Sequence, residues 1–374
     1  MKVLHVIGGV GPGGAETLMY RLVTRRSDVE HEVICLGGRD WYSEGLEQHG
    51  IETHYLGMSR LAAVPRALWR LTGLVRKSGA DVVQGWMYRS NILASIAARR
   101  VGLPSVWSIH CASLEPLSTS ARFWAYLSGT LARRLPAAVI NCSKRSIKMH
   151  DSIGFKGANV VWTPNGYDPT AFSVDQNRRE QFRPTLGIAP DEFVVGTVSR
   201  WHAEKDIPNL LDAIRALATD GKAPRCFLIG HRLDADNSEL IDALRERNLQ
   251  DSVIPLGRRG DVPELLRSFD LLALPSRSES FPNVVPEAML SGTPCVVTDV
   301  GDAPFIVGET GWVAAPRNPR ALAEAIGRAR DEFERDPSAW GKRRSAARDR
   351  IEANFTLDQM AARYEEVWRA AISA

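Results

Sequence analysis

Short apolar runs alternate with segments of helical period along most of the chain. VLHVI (residues 3–7) is followed by AETLMYRLVTRR, then HEVICLG, a helix around Trp41–Gln48, and THYLG. DVVQG, SVWSI, AAVINC and NVVWT continue the series, with helical segments between most of them. These runs are β-branched and nearly all apolar rather than alternating, which suits strands of a parallel sheet covered on both faces. The rhythm stops at 163–192, where proline, glycine, asparagine and charge cluster without a strand, as in a connection between domains. It resumes with EFVVGTVSR, a helix from Lys205 to Leu217, RCFLIG, a helix near Ser238–Arg247, SVIPLG, a short helix, DLLALP, a helix near Val284–Ser291, and TPCVVT. The remainder is rich in helix, with periodic Ala, Leu and Trp. The pattern predicts an α/β protein of two tandem, doubly wound, Rossmann-like domains, with a ligand cleft between the carboxyl ends of their strands. The expected divisions are 1–170, 171–355, and a helix over 356–374 packing back on the first domain.

Composition sharpens this only a little. A chain of 374 residues exceeds one ordinary core, in keeping with two domains. The five cysteines are scattered and form no C-x-x-C pair, which points to a reducing compartment and away from disulfides or structural zinc. MKVLHVIGG has no cleavage site and reads as a first strand, and no run approaches the roughly 18 apolar residues of a membrane span. A cytoplasmic protein is expected. Charge is uneven: residues 1–170 hold 20 Lys and Arg against 12 Asp and Glu, the rest 27 against 32. The basic half suits an anionic partner or surface.

Gly9, Gly11 and Gly14 fit G-x-G-x-x-G, the spacing of a dinucleotide-binding turn. That fingerprint also needs an acid at the end of the second strand. Here the strand ends Leu36-Gly37-Gly38, and Glu30 and Glu32 lie at or before its beginning. An NAD enzyme is therefore disfavoured. Gly13-Gly14-Ala15-Glu16 can instead open a helix whose free N–H groups favour an anion, or simply make a tight turn.

In the second half, Arg200 stands at a strand end and Lys205 five residues later at the expected helix start. Such cations suit a diphosphate, although Glu204 and Asp206 also allow an ordinary solvated helix start. In PSRSESFPNVVPEAMLSGTPCVVTDVG, Glu279 falls in a loop and Glu287 in the following helix. Phe281-Pro282-Asn283 leads into that helix, where free N–H groups can receive a negative group and a carboxylate can accept sugar hydroxyls.

Four motifs in order, GGAE (13–16), NG-x-D (165–168), R-x4-K (Arg200, Lys205) and E-x7-E (Glu279, Glu287), make the chain resemble the retaining nucleotide-sugar glycosyltransferases of family four, of GT-B architecture. The resemblance implies that Gly13 and Gly14 approach the donor diphosphate through the backbone, and that Arg200 and Lys205 bind it and stabilise the leaving group. It further implies that Glu287 takes the ribose, that Glu279 and the 281–283 backbone hold the transferred sugar, and that His110 touches that sugar. Arg258 is expected beside the base. The donor is a nucleotide diphosphate sugar, a UDP-sugar being favoured, with no cofactor and no metal, because the two cations replace one. Asp234-Ala235-Asp236 has D-x-D spacing, which chance explains better. The sequence departs from the family pattern after Glu279 (Ser280-Phe281-Pro282-Asn283) and at 301–306 (GDAPFI), which bears on the identity of the sugar.

The first domain is expected to receive a glycan acceptor, with Tyr88, Arg89 and Asn91 as candidate contacts. Residues 60–79 set Arg60, Arg66, Arg70, Arg76 and Lys77 among Leu, Val and Trp69, and 121–135 repeats the mixture. Such helices suit an anionic membrane surface, and equally an apolar core stripe with a solvated basic face. No nucleic-acid motif is present. The expectation is a hexosyltransferase acting on a growing, lipid-linked bacterial surface glycan or lipopolysaccharide intermediate, at the inner face of the cytoplasmic membrane. The rivals are an epimerase or phosphorylase on the same fold, and a catalytically inactive partner subunit.

Overall fold

The computed structural model describes residues 1–58, 63–111, 113–114, 118–219 and 223–374. They form two compact units: Met1–Gly166 with Leu357–Ala374, and Tyr167–Thr356.

Unit 1 holds strands β1 (Lys2–Ile7), β2 (Glu30–Cys35), β3 (Glu52–Tyr55), β4 (Val82–Trp86), β5 (Ser105–Ile109), β6 (Ala138–Asn141) and β7 (Val160–Trp162). Between them run α1 (Gly14–Val23), α2 (Ser43–Gln48), α3 (Val64–Ser78), α4 (Tyr88–Arg100), α5 (Thr119–Leu131) and α6 (Lys144–His150). The strand order is β3-β2-β1-β4-β5-β6-β7. Pairing is parallel, so each connection must cross over a face and cover it. The apolar runs follow from this burial. On β1, Val3 and Ile7 enter the core beneath α1, while Leu4 and Val6 enter the core beneath α3 and α4. The order reverses between β1 and β4.

Unit 2 holds α7 (Gln176–Phe182), β8 (Val194–Val198), α8 (Ile207–Ala216), β9 (Arg225–Ile229), α9 (Ser238–Glu246), β10 (Val253–Gly257) and α10 (Val262–Ser268). It continues with β11 (Leu271–Leu274), α11 (Val284–Leu290), β12 (Cys295–Thr298), α12 (Ala303–Val307), β13 (Trp312–Ala314), α13 (Pro319–Arg335) and α14 (Pro337–Asn354). Its order, β10-β9-β8-β11-β12-β13, reverses between β8 and β11. Two elements differ from the sequence expectation. The segment 163–192 is not a bare linker, because α7 starts from an Asp175 cap whose side chain accepts the Arg178 N–H at 2.9 Å. β13 is an added edge strand, only three residues long.

The last helix, α15 (Leu357–Ser373), belongs to unit 1. It buries Met360, Tyr364, Val367 and Trp368 in the core beneath α1. The Trp368 indole N–H donates to Gln84 Oε1 at 2.8 Å, and the Tyr364 hydroxyl lies 2.8 Å from Ser108 Oγ. The NG-x-D motif spans the passage between units. Gly166 ends unit 1, and Tyr167 opens unit 2 with its N–H on Phe355 O at 2.9 Å.

Under α15, His5 Nε2 lies 3.0 Å from His31 Nδ1, and His5 Nδ1 accepts the Trp86 indole N–H at 3.1 Å. Burial pulls His5 far below its usual value and holds His31, His110 and His150 at about 4. The unfolded chain takes up these protons near pH 6.5, which the folded chain refuses until about pH 4. The stabilisation from keeping them neutral is thus complete above pH 6.5 and is lost as pH falls toward 4, by up to about 1.4 kcal/mol per histidine per pH unit. Glu16, pushed up by burial, works in the opposite direction. The melting temperature at pH 5 is expected to fall several degrees below that at pH 7. An unchanged value would show that these rings accept protons without strain.

Candidate functional site

In unit 2 the candidate residues gather where the strand order reverses, the place at which doubly wound sheets bind ligands. The loop after β8 carries Arg200 and Lys205, and the loop after β11 carries Glu279. Lys205 does not begin the helix, as the sequence suggested. It closes a short 3-10 turn, Ala203–Lys205, and α8 starts only at Ile207. Between them Asp206 takes a left-handed conformation, φ 46°, and Pro208 follows in the first turn of α8. A proline is tolerated there because that N–H has no helical partner.

This turn aims Lys205 at the neighbouring loop. Lys205 Nζ lies 2.5 Å from Glu279 Oε1, and the Ser276 hydroxyl donates to the same oxygen at 2.7 Å. Both side chains are mostly buried. The two loops are tied again beside this pair. The Arg277 N–H donates to Glu204 O at 2.7 Å, and its guanidinium to the buried Asp206 at 2.6 Å. Thr298 on β12 donates to Ser276 O at 2.6 Å. Gly301, φ 49°, lies so close that a Cβ would stand 1.9 Å from Glu279 O, so only glycine fits against this loop. Ser276 and Arg277 were not singled out from sequence, and Asp206 was read only as a partner of a solvated helix start. The S-x-x-E spacing of Ser276 and Glu279 was the one available signal.

Arg200 is exposed and has no hydrogen bond or ion pair among the described residues. A cation held two residues beyond a strand and left unpaired can accept an anionic group with little rearrangement. Phe281 and Pro282 are buried ahead of α11. The Asn283 side chain accepts the Tyr167 hydroxyl at 2.7 Å rather than capping the helix. Glu287 closes the first turn of α11 and is buried. Arg258 is exposed after β10, the outer strand two places from β8. Asp234 and Asp236 belong to no cluster of three ligating side chains among the described residues.

In unit 1, Gly13 precedes α1, and a Cβ there would meet the Glu16 carboxylate at 2.1 Å. The glycine thus lets Glu16 fold back over the amino end of α1, a contact that the reading of this loop as an open anion site did not foresee. Gly14 is exposed with open space around it. His110 follows β5, its ring stacked on Trp86 at 5.5 Å and its Nε2 3.0 Å from Ser108 Oγ. Burial holds it at about 4, the Asn165 side chain acting weakly in the opposite direction, so near pH 7 it is a neutral hydrogen-bonding ring.

Of the candidate acceptor contacts, Tyr88 is buried with its hydroxyl 2.8 Å from His150 Nε2. Asn91 is fully buried and donates to Ser108 O at 3.2 Å. These two brace α4 against its neighbours, and Arg89 alone of the three is partly exposed. On α3 one exposed stripe carries Arg66, Trp69, Arg70, Arg76 and Lys77, opposite the buried Ala67, Leu71 and Val75. Arg60 lies outside the described residues. On α5, Phe123 and Tyr126 are exposed, and α3 and α5 both pack on α4.

The model of a family described as Glycosyltransferase Family 4 matches residues 12–171, and that of Glycosyl transferases group 1 matches 192–331. A UDP-Gal:alpha-D-GlcNAc-diphosphoundecaprenol alpha-1,3-galactosyltransferase of Escherichia coli is 25% identical over 250 residues, 63% of this chain and 62% of that one. A 2-deoxystreptamine glucosyltransferase of Streptomyces kanamyceticus is 26% identical over 306 residues, 72% of this chain and 78% of that one. Among solved structures, Anabaena HepE in complex with UDP superposes with a TM-score of 0.86 at 23% identity, over 98% of this chain and 99% of that one. WaaG, a glycosyltransferase involved in lipopolysaccharide biosynthesis, gives 0.74 at 16% identity, over 96% and 98%. At such identities the structures speak for the shared fold.

Proposed function

Because the chain belongs to the family-four glycosyltransferases, with GT-B architecture, we propose that it transfers a hexose from a nucleotide diphosphate sugar to a growing glycan, with retention and without a metal. The observation that carries this is the Lys205–Glu279 pair, set on two loops where the strand order of unit 2 reverses. Arg200 and Lys205 supply two positive charges to the diphosphate as it departs, the task a divalent cation performs in other transferases. Glu279, oriented by Lys205 and Ser276, accepts hydroxyls of the transferred sugar, together with the backbone of Phe281–Asn283. Glu287 takes the ribose hydroxyls, and Arg258 lies toward the base. The HepE complexes with UDP and UDP-glucose support uridine as the base.

A thermal-shift and hydrolysis screen of UDP-, GDP- and ADP-sugars tests this reading. UDP at 100 times its dissociation constant is expected to stabilise the fold by about 2.7 kcal/mol. Activity is expected to survive EDTA. Complete loss in chelator would return the metal role to Asp234 and Asp236, and no response to any nucleotide would remove the donor assignment.

The acceptor we infer is lipid-linked, as the diphosphoundecaprenol substrate of the Escherichia coli relative supports. No described helix is long and apolar enough to cross a membrane. The α3 stripe instead combines cations with a Trp69 that is 75% exposed, suited to lying on an anionic inner leaflet. Sedimentation with anionic liposomes at low salt, weakening as salt rises, is the expected result. Binding indifferent to lipid charge would reject the electrostatic part.

A further inference from the structure

Unit 1 has its own reversal of strand order, between β1 and β4, and a cavity of about 300 Å³ opens there. That volume is at the small end of pockets that take small molecules. The first turns of three helices line it: Glu16 of α1, Arg89 and Ser90 of α4, and Ser120 of α5, with the α5 cap residue Ser118 and the Trp124 ring. α4 and α5 are 13 residues each, long enough to present roughly half a positive charge at their amino ends.

Arg89 is half-buried, and burial lowers its pKa. It has no hydrogen bond or ion pair among the described residues, and none joins it to Glu16. A partly desolvated guanidinium without a carboxylate, beside serine hydroxyls and two helix amino ends, is complementary to an oxyanion. On the α1 side the folded-back Glu16 carboxylate is an acceptor only, suited to hydroxyl groups. The cavity thus offers opposite chemistry on its two sides.

We propose that this cavity receives the acceptor, and that the acceptor carries a phosphate or carboxylate on a sugar ring. The oxyanion binds Arg89, Ser90 and the amino ends of α4 and α5, the ring hydroxyls face Glu16, and Trp124 walls the ring. This rests on the transferase reading only for the need of an acceptor.

Calorimetric titration of the full chain, in saturating UDP so that donor contacts are occupied, tests it. The probes are glucose 1-phosphate, glucuronate, methyl glucoside and inorganic phosphate. The two charged sugars are expected to bind at least tenfold more tightly than methyl glucoside, and their ratio tells phosphate from carboxylate. Arg89→Gln is expected to weaken the charged sugars roughly 10- to 100-fold, Arg89→Lys less, and neither to change UDP affinity. Equal binding of methyl glucoside, no binding of either charged sugar, or charged-sugar affinity within twofold of wild type in Arg89→Gln would each overturn the proposal. Arg89-dependent binding of a charged sugar in a protein that ignores UDP would keep this site and remove the transferase reading.

Discussion

Lys205→Ala is expected to lower kcat by about 100-fold or more, the scale of losing one group that stabilises developing charge. Negative charge on the departing diphosphate is greater in the transition state than in the bound donor, so the loss falls on kcat as well as on binding. Affinity for free UDP should also drop, because the product carries the same charge. The substitution has a second effect, which the 2.5 Å contact makes explicit: Glu279 loses its cation and keeps only the Ser276 hydroxyl. Lys205→Arg separates the two effects. It keeps a charge beside Glu279 but replaces a compact ammonium by a planar fork, so it should hold the loop together while recovering only part of the rate. A Lys205→Ala enzyme within a few-fold of wild type would remove Lys205 from the leaving-group role.

The two glutamates are expected to part company. Glu287 is assigned to the ribose, which changes little along the reaction, and Glu279 to the sugar at the centre where charge develops. Contacts equal in ground and transition states appear in KM, and contacts that strengthen in the transition state appear in kcat. Glu287→Gln should therefore mainly weaken nucleotide binding, and Glu279→Gln should mainly lower kcat with UDP affinity nearly intact. Neither needs to form a bond to the sugar if departure and attack share one face. A trapped glycosyl ester on Glu279 would overturn that mechanism, and the reverse kinetic pattern would exchange the two roles.

How these residues became visible differs from case to case. The strands were legible because parallel burial makes both faces apolar, as Val3 and Leu4 show by entering different cores. β13 was not, since three residues with an exposed Val313 carry no such signal. Arg200, Lys205, Glu279 and Glu287 are candidates by motif, but the contact between Lys205 and Glu279 joins residues 74 apart in sequence and depends on the strand order. Asp206–Arg277 escaped notice for the same reason, and its left-handed Asp206 has no spacing signature. The burial of Tyr88 and Asn91 was not legible because topology places both at the top of β4, while the first turn of α4 rotates them inward and leaves Arg89 half-buried at the cavity that Tyr88 also lines.

The return of α15 to unit 1 also sets an order of assembly during synthesis. Chains tend to fold from the amino end as they leave the ribosome. Here residues 1–166 emerge first, yet the core beneath α1 lacks Met360, Tyr364 and Trp368 until all of unit 2 has been translated. Unit 2, an unbroken stretch, has every residue it needs before unit 1 does. The nascent first unit therefore waits with His5, Trp86 and the faces of β1 and β4 uncovered, and this interval is when chaperones or premature chain termination would act on it most strongly.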